Sequence, residues 1–189
     1  PSPLPGAQAR DKEALTAGGV AKISEHLREK LDWVICDSPA GIERGAQMAM
    51  HHADMAVIVT NPEVSSVRDS DRIIGMLDST TEKARAGEKM PKHLLLTRYD
   101  PQRAASGDML GTDDVLEILS IPLLGIVPES PDVLKASNLG APVTIAEPNS
   151  AAAGAYMEAA RRLMGEDIKI TIPTERRGLL DWLFKWRAA

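Results

Sequence analysis

Short apolar runs alternate along the chain with longer stretches in which apolar residues recur every three or four positions. The runs are Trp33-Val34-Ile35-Cys36, Ala56–Thr60, Leu94–Thr97 and Leu123–Val127. Each is continuous rather than alternating, the pattern of a strand buried on both faces. Asp11–Leu31 reads as helix, with Ile23, Leu27 and Leu31 at four-residue spacing and an interruption at Gly18-Gly19. Gln47–His52 reads as a short helix and Val67–Ala86 as a long one with a polar end. Thr112, followed by Asp113 and Asp114, is the expected cap of a helix reaching Leu119. A short helix near Asp132–Ser137 and a last core helix over Ser150–Met164 complete the series. This alternation predicts the doubly wound α/β class, a mostly parallel sheet with helices on both faces. Ligands in that class sit at the carboxyl ends of the strands. Four strand-end loops are therefore expected on one rim: Asp37-Ser38-Pro39-Ala40-Gly41, Asn61-Pro62-Glu63, Arg98-Tyr99-Asp100 and Pro128-Glu129.

Composition narrows the partners more than the fold. The chain has 189 residues, 43% of them hydrophobic and 26% charged, which suits one globular domain. The net charge of −5 argues against a nucleic-acid partner, because such binders usually carry a basic face. The single cysteine, Cys36, allows no internal disulfide and no multi-cysteine metal site, which fits a reducing cytoplasm. Set in an apolar run, it reads as a buried core residue rather than a nucleophile. His26, His51, His52 and His93 show no ligand spacing.

Two segments carry candidate chemistry. An Asp ending an apolar strand, with Gly four residues on, can hold magnesium-bound or attacking water near a γ-phosphate while the Gly lets the loop move. Asp37 and Gly41 have that spacing, although Asp37 could equally cap a turn. The charged, hydroxyl-rich Val64–Arg72 segment opens the long helix. On pattern alone it is a solvated helix start, with Ser65 or Ser66 as cap and Asp69 in the first turn.

CDSPAGIERGAQMAM, TNPEVSSVRDSDRI, HLLLTRYDP, GDML followed three residues later by DVLEIL, LLGIVPE and VLKASNLGAPV occur in an order and spacing that closely resemble the MinD family. That family belongs to the deviant-P-loop group of ATPases, which also holds the ParA-type partition ATPases. The resemblance runs from Leu4-Pro5 to the carboxyl terminus. It implies a membrane-associated ATPase of division-site selection. Such a protein binds ATP and Mg²⁺, forms a homodimer across the nucleotide, recruits MinC to the membrane and is released by MinE. Asp37 then corresponds to the switch II aspartate, catalytic through the hydrolytic water and touching magnesium indirectly, through water. Thr97, Arg98, Pro128 and Glu129 fall where the family holds the adenine base. Ser65, Ser66, Asp69 and Asp71, with Glu43 nearby, fall on the surface that engages MinC and MinE.

The departure is at the start. The family opens with a strand and the loop GKGGVGKT, which cradles phosphates with backbone N–H groups and lysines. No such loop occurs in these 189 residues, and Gly18-Gly19 lacks the Gly-Lys-Thr that would follow. The resemblance therefore implies a carboxyl-terminal portion, with the first strands, the phosphate loop and the switch I aspartate lying upstream of Pro1. Catalysis here is phosphate positioning, so such a portion should not hydrolyse ATP alone. Two other readings stay open: a nucleotide-free interaction module that keeps the partner and membrane surfaces, and a flagellar-number-regulator ATPase of the same group.

The end of the chain has a character of its own. Three of the six Phe, Trp and Tyr residues, Trp182, Phe184 and Trp186, lie in the last eight positions. At 100° per residue, Leu179, Trp182, Leu183 and Trp186 share one face, with Leu180 and Phe184 beside them. Arg177, Asp181 and Lys185 lie opposite. Arg176, Arg177, Lys185 and Arg187 against Glu175 and Asp181 give the segment a net +2, within a chain of −5. Aromatic residues over a basic rim suit an anionic membrane surface. The expected organisation is thus a nucleotide-binding domain over 1–164, a linker over 165–174 and a membrane-targeting helix over 175–189. The expected location is cytoplasmic, peripheral on the inner face of the bacterial cell membrane. Each basic residue near such a surface contributes on the order of 1 kcal/mol, so one tail binds reversibly and two on a dimer far more strongly. Trp182→Glu, or deletion after Thr174, should abolish sedimentation with anionic liposomes; sedimentation equal to the parent's would remove the assignment.

Overall fold

A computed structural model describes residues 17–38, 41 and 44–174. The order of elements is α1 (Ala17–Arg28), α2 (Arg44–His51), β1 (Ala56–Thr60), α3 (Val64–Thr80), α4 (Glu82–Arg85), β2 (Lys92–Tyr99), α5 (Pro101–Ser106), α6 (Thr112–Leu119), β3 (Leu123–Pro128), α7 (Pro131–Asn138), α8 (Val143–Ala146) and α9 (Ala151–Leu163). The chain divides into two compact units: residues 1–56 with 71–92, and residues 57–70 with 93–189.

The second unit is built on an open sheet of strand order β1-β2-β3, in which β2 and β3 run parallel. This is the expected α/β architecture. Leu94, Leu95, Leu96 and Thr97 are all buried, as a strand covered on both faces must be. Helix α9 packs on β3 through small residues: Ala152 and Ala159 join Leu95, Leu124 and Val127 in one cluster. Ala153 joins Ala136 and Val143 in a second, with Tyr156 packed against both. Partial burial pushes the Tyr156 phenol above its ordinary range.

Two register shifts interrupt the β2–β3 ladder. Leu94 pairs with Leu123 and Leu95 with Gly125, so β3 takes two steps where β2 takes one and Leu124 is the extra residue. Leu96 pairs with Ile126 and Tyr99 with Pro128, so near the carboxyl end β2 carries the extra residue. Such bulges bend a strand and re-aim side chains. Arg98 sits in the second with φ +56°, a left-handed conformation that costs a residue bearing a side chain about 1–2 kcal/mol.

Several helix ends follow side-chain capping. Asp100 accepts from the backbone N–H groups of Gln102 (2.8 Å) and Arg103 (3.2 Å), Pro101 takes the first helical position, and left-handed Gly107 (φ +82°) ends α5. Ser130 caps α7 ahead of Pro131, and Ser150 caps α9 by accepting from Ala153 N–H at 3.1 Å. The helix expected over 67–86 is split. Thr81 Oγ1 donates to the Leu77 carbonyl (2.8 Å) and accepts from Ala84 N–H (3.2 Å), ending α3 and starting α4. Thr112 is not a cap: it is the first residue of α6, and the Asp114 carboxylate accepts from Gly111 N–H at 2.9 Å instead. Ser65 and Ser66 are not caps either, because α3 already begins at Val64.

The first unit contains α1, α2 and α4. Gly18-Gly19 lies inside α1 and does not interrupt it. His52 Nδ1 meets the Glu82 carboxylate at 3.0 Å, and this hydrogen bond holds Glu82 below the usual carboxylate range. Lys92 pairs with Asp78, and Arg28 with Asp54 at 2.7 Å. The strand expected at Trp33–Cys36 is absent: residues 33–38 form neither helix nor strand. Ile35 is 88% exposed and Cys36 is exposed, not buried. A strand exists through its ladder, and no described residues pair with this one.

In β3, a Cβ at Gly125 would meet Ala159 Cβ at 3.2 Å and Leu95 Cδ1 at 3.5 Å. Ala159 Cβ is fixed to the helix backbone and cannot move aside alone. Gly125→Val should therefore destabilise the fold by about 1–3 kcal/mol through overpacking. A urea midpoint equal to the parent's would refute the close approach.

Candidate functional site

The carboxyl ends of all three strands converge within the second unit. Thr60 ends β1 and Asn61 follows it, Thr97 and Arg98 lie in the bulged end of β2, and Pro128 and Glu129 close β3. Thr97 Oγ1 lies 3.0 Å from Asn61 Oδ1 and 3.3 Å from the Thr60 carbonyl. One hydroxyl thus spans from β2 to β1. Glu129 N–H donates to the Tyr99 carbonyl at 2.9 Å, joining the ends of β2 and β3. The bulge turns the Arg98 side chain outward, where Nη2 lies 3.5 Å from Glu129 Oε1. Both side chains are well exposed, so the pair contributes little to stability. Behind the rim, Leu110 N–H donates to the Pro62 carbonyl (3.0 Å) and Asp100 N–H to Met109 Sδ (3.4 Å).

The four residues expected to hold a base, Thr97, Arg98, Pro128 and Glu129, are thereby brought together, and Asn61 joins them. In the sequence, Asn61 falls in a strand-end loop and carries no assigned role. Its signal was its position directly after an apolar run. The set offers an amide, a hydroxyl, a guanidinium, a carboxylate and the apolar ring of Pro128. These groups fit a flat heterocycle with hydrogen-bonding edges.

Asp37 is exposed, in the first unit, in a segment without regular structure; Gly41, four residues on, has φ +94°, a left-handed conformation that favours glycine. Among the described residues no three His, Cys, Asp or Glu side chains gather to hold a metal. Ser65, Asp69 and Asp71 are exposed on α3, and Ser66 is half-buried, its carbonyl accepting from Ser70 Oγ at 2.9 Å. Glu43 and the tail residues Arg176, Arg177, Leu179, Leu180, Trp182, Leu183, Phe184, Lys185 and Trp186 lie outside the described residues. No described helix is long and apolar enough to cross a membrane.

No family model matches the chain. Individual proteins do. The septum site-determining protein MinD of Escherichia coli (strain K12) is 53% identical over 184 residues, covering 96% of this chain and 68% of that protein. The same-named protein of Neisseria meningitidis serogroup B (strain MC58) is 50% identical over 185 residues, with the same coverage. The chain belongs to the MinD family. Among solved structures it is similar to the MinD cell division protein of Aquifex aeolicus, with TM-score 0.74 and 36% identity over 83% of this chain and 64% of that one. The Aquifex aeolicus MinC:MinD complex gives TM-score 0.72 and 36% identity over 87% of this chain and 64% of that one. MinD of Pyrococcus horikoshii complexed with Mg-ADP gives TM-score 0.66 and 26% identity over 81% and 60%. This MinD-family chain thus spans about two thirds of the length of its relatives. The shared fold is the P-loop NTPase-like α/β sheet.

The Thr97 bridge is open to direct test. Thr97→Val keeps the shape but removes the hydroxyl, leaving buried polar groups short of a partner. It should cost about 1 kcal/mol in urea denaturation. A Thr97→Val chain at least as stable as the parent would show that the hydroxyl holds nothing.

Proposed function

We propose that this chain carries the base-recognition, partner-binding and membrane-binding parts of a MinD-type ATPase of division-site selection. The observation that carries the reading is the convergence of Asn61, Thr97, Arg98, Pro128 and Glu129 on one rim of a MinD-family fold. Relatives add support: one is solved with Mg-ADP and another as a MinC:MinD complex. On this rim the Asn61 amide and Thr97 hydroxyl address the polar edge of adenine, Pro128 offers a stacking face, and Arg98 and Glu129 flank the opening. Asp37 holds the attacking water and reaches magnesium through water. When bound, Mg-ATP supplies the phosphoryl group and most of the charge, and the chain's own work is to orient the base and the water. The exposed face of α3 bearing Ser65, Asp69 and Asp71, with Ser66 and Glu43, receives MinC and MinE. The homodimer forms across the nucleotide, and the amphipathic segment 175–189 binds the cytoplasmic membrane surface from outside the bilayer core.

Phosphate contacts supply most of the binding energy and all of the transition-state positioning in such enzymes. These 189 residues contain no GKGGVGKT-like loop. Titration of the chain with Mg-ATP should show no binding tighter than a few micromolar and no phosphate release. Joined in frame to the phosphate-loop third of the Escherichia coli relative, it should hydrolyse ATP, and Asp37→Asn should lower that rate by roughly 10²-fold. Tight binding or hydrolysis by the chain alone, or an unchanged rate in the Asp37→Asn fusion, would overturn the assignment.

A further inference from the structure

Two adjacent arginines at the end of α9 turn back on the chain that follows them. Arg161 donates to the Glu166 carboxylate through Nε at 2.9 Å and Nη2 at 2.5 Å. Arg162 reaches four acceptors: the Ile168 carbonyl (2.7 Å), the Lys169 carbonyl (2.8 Å), the Leu124 carbonyl (3.0 Å) and the Glu158 carboxylate (2.8 Å). Its side chain is only 10% exposed. Leu124 is the extra residue of the first bulge in β3, so the ladder register passes over it and the guanidinium serves its carbonyl. The guanidinium passes close to Gly125, where an added Cβ would lie 3.4 Å from Arg162 Nη1, in contact with it.

We infer that Arg162, assisted by Arg161, is a clasp that makes residues 166–169 part of the folded body, so that the chain leaves that body at Ile170 rather than at Gly165. The argument is one of acceptors. The fork of a guanidinium can serve several carbonyls at once, whereas an ammonium on a flexible stem cannot hold this geometry. Three of the four acceptors are backbone carbonyls, one on β3 and two beyond the helix, so the side chain ties the outgoing segment to the sheet. Free chain before Glu175 then spans roughly 17 Å at full extension. This sets how much chain separates the folded body from Glu175. The importance of that reach for membrane binding rests on the proposed function; the clasp itself does not.

The test is native-state trypsin cleavage of the Lys169–Ile170 bond, followed by mass spectrometry in the full chain. A peptide of residues 164–174 serves as the unstructured reference, and no vesicle is needed. In the parent this bond should be cut at least about ten-fold more slowly than in the peptide, because cleavage needs the docked segment to open. Arg162→Gln should bring the rate to within about three-fold of the peptide's, Arg162→Lys should lie between, and Arg161→Gln should accelerate cleavage less than Arg162→Gln. Thermal melting, recorded in parallel, separates local release from unfolding. The inference is overturned if the parent bond is cut as fast as the peptide, or if Arg162→Gln is cut at the parent's rate. It is equally overturned if acceleration occurs only where the variant melts, since Arg162 would then be a core residue and not a clasp.

Discussion

The second unit depends on β2 being paired on both edges and buried on both faces. A strand in that position must be apolar along its length and must place its hydrogen-bonding groups in ladders. Leu94, Leu95 and Leu96 meet the first demand, and β1 and β3 meet the second. Everything on the rim is carried at the ends of this arrangement. Thr97 is the last buried polar residue before the bulge, Arg98 is the residue the bulge expels, and Glu129 is reached because its N–H continues the contact to the Tyr99 carbonyl. The bulge at Arg98 stores about 1–2 kcal/mol of backbone strain. That strain persists because the pairings on either side, Leu96 with Ile126 and Tyr99 with Pro128, hold the chain between them. A rim residue held this way is aimed by the sheet, not by its own contacts.

The same demand explains what the amino-acid pattern could and could not disclose. Ala56–Thr60, Leu94–Thr97 and Leu123–Val127 were legible as strands because each continuous apolar run has a neighbour to pair with. Trp33–Cys36 has the same pattern and forms no strand. Periodicity reports the face a residue would hide if a ladder existed; it does not report the ladder. Ile35 and Cys36 are exposed for that reason. The α5 helix was the opposite case. Asp100-Pro101 and Gly107 are a full set of start and stop signals, but six residues carry too little apolar periodicity to stand out. The site was legible in its strand-end positions, whereas the bridge from Thr97 to Asn61 was not. It joins residues 36 apart, and nothing local in either loop announces the other.

The two bulges of the β2–β3 ladder also show how one irregularity can be put to two uses. Near the carboxyl end the extra residue is in β2, and the released side chain faces the rim. Near the amino end the extra residue is in β3, and the carbonyl left over is taken by a helix side chain. A buried carbonyl without a donor costs about 1–3 kcal/mol, so the guanidinium of Arg162 offsets a cost that the bulge at Leu124 would otherwise carry. Gly125 lies in the same place, where an added Cβ would press on Ala159 Cβ at 3.2 Å and touch Arg162 Nη1 at 3.4 Å.

That interdependence bears on why the neighbouring arginines differ in weight. Arg161 and Glu166 are both substantially exposed, and an ion pair in that setting is screened and adds little. Arg162 is nearly dry, with its charge met by Glu158 and its remaining N–H groups aimed at carbonyls. Removing an acceptor from Arg161 exposes a charge to water that was already there. Removing one from Arg162 leaves a buried donor without a partner. The asymmetry between two adjacent residues of the same type thus arises from the helix position alone: 162 faces β3 and 161 faces solvent, and a single step of 100° separates a surface pair from a structural one.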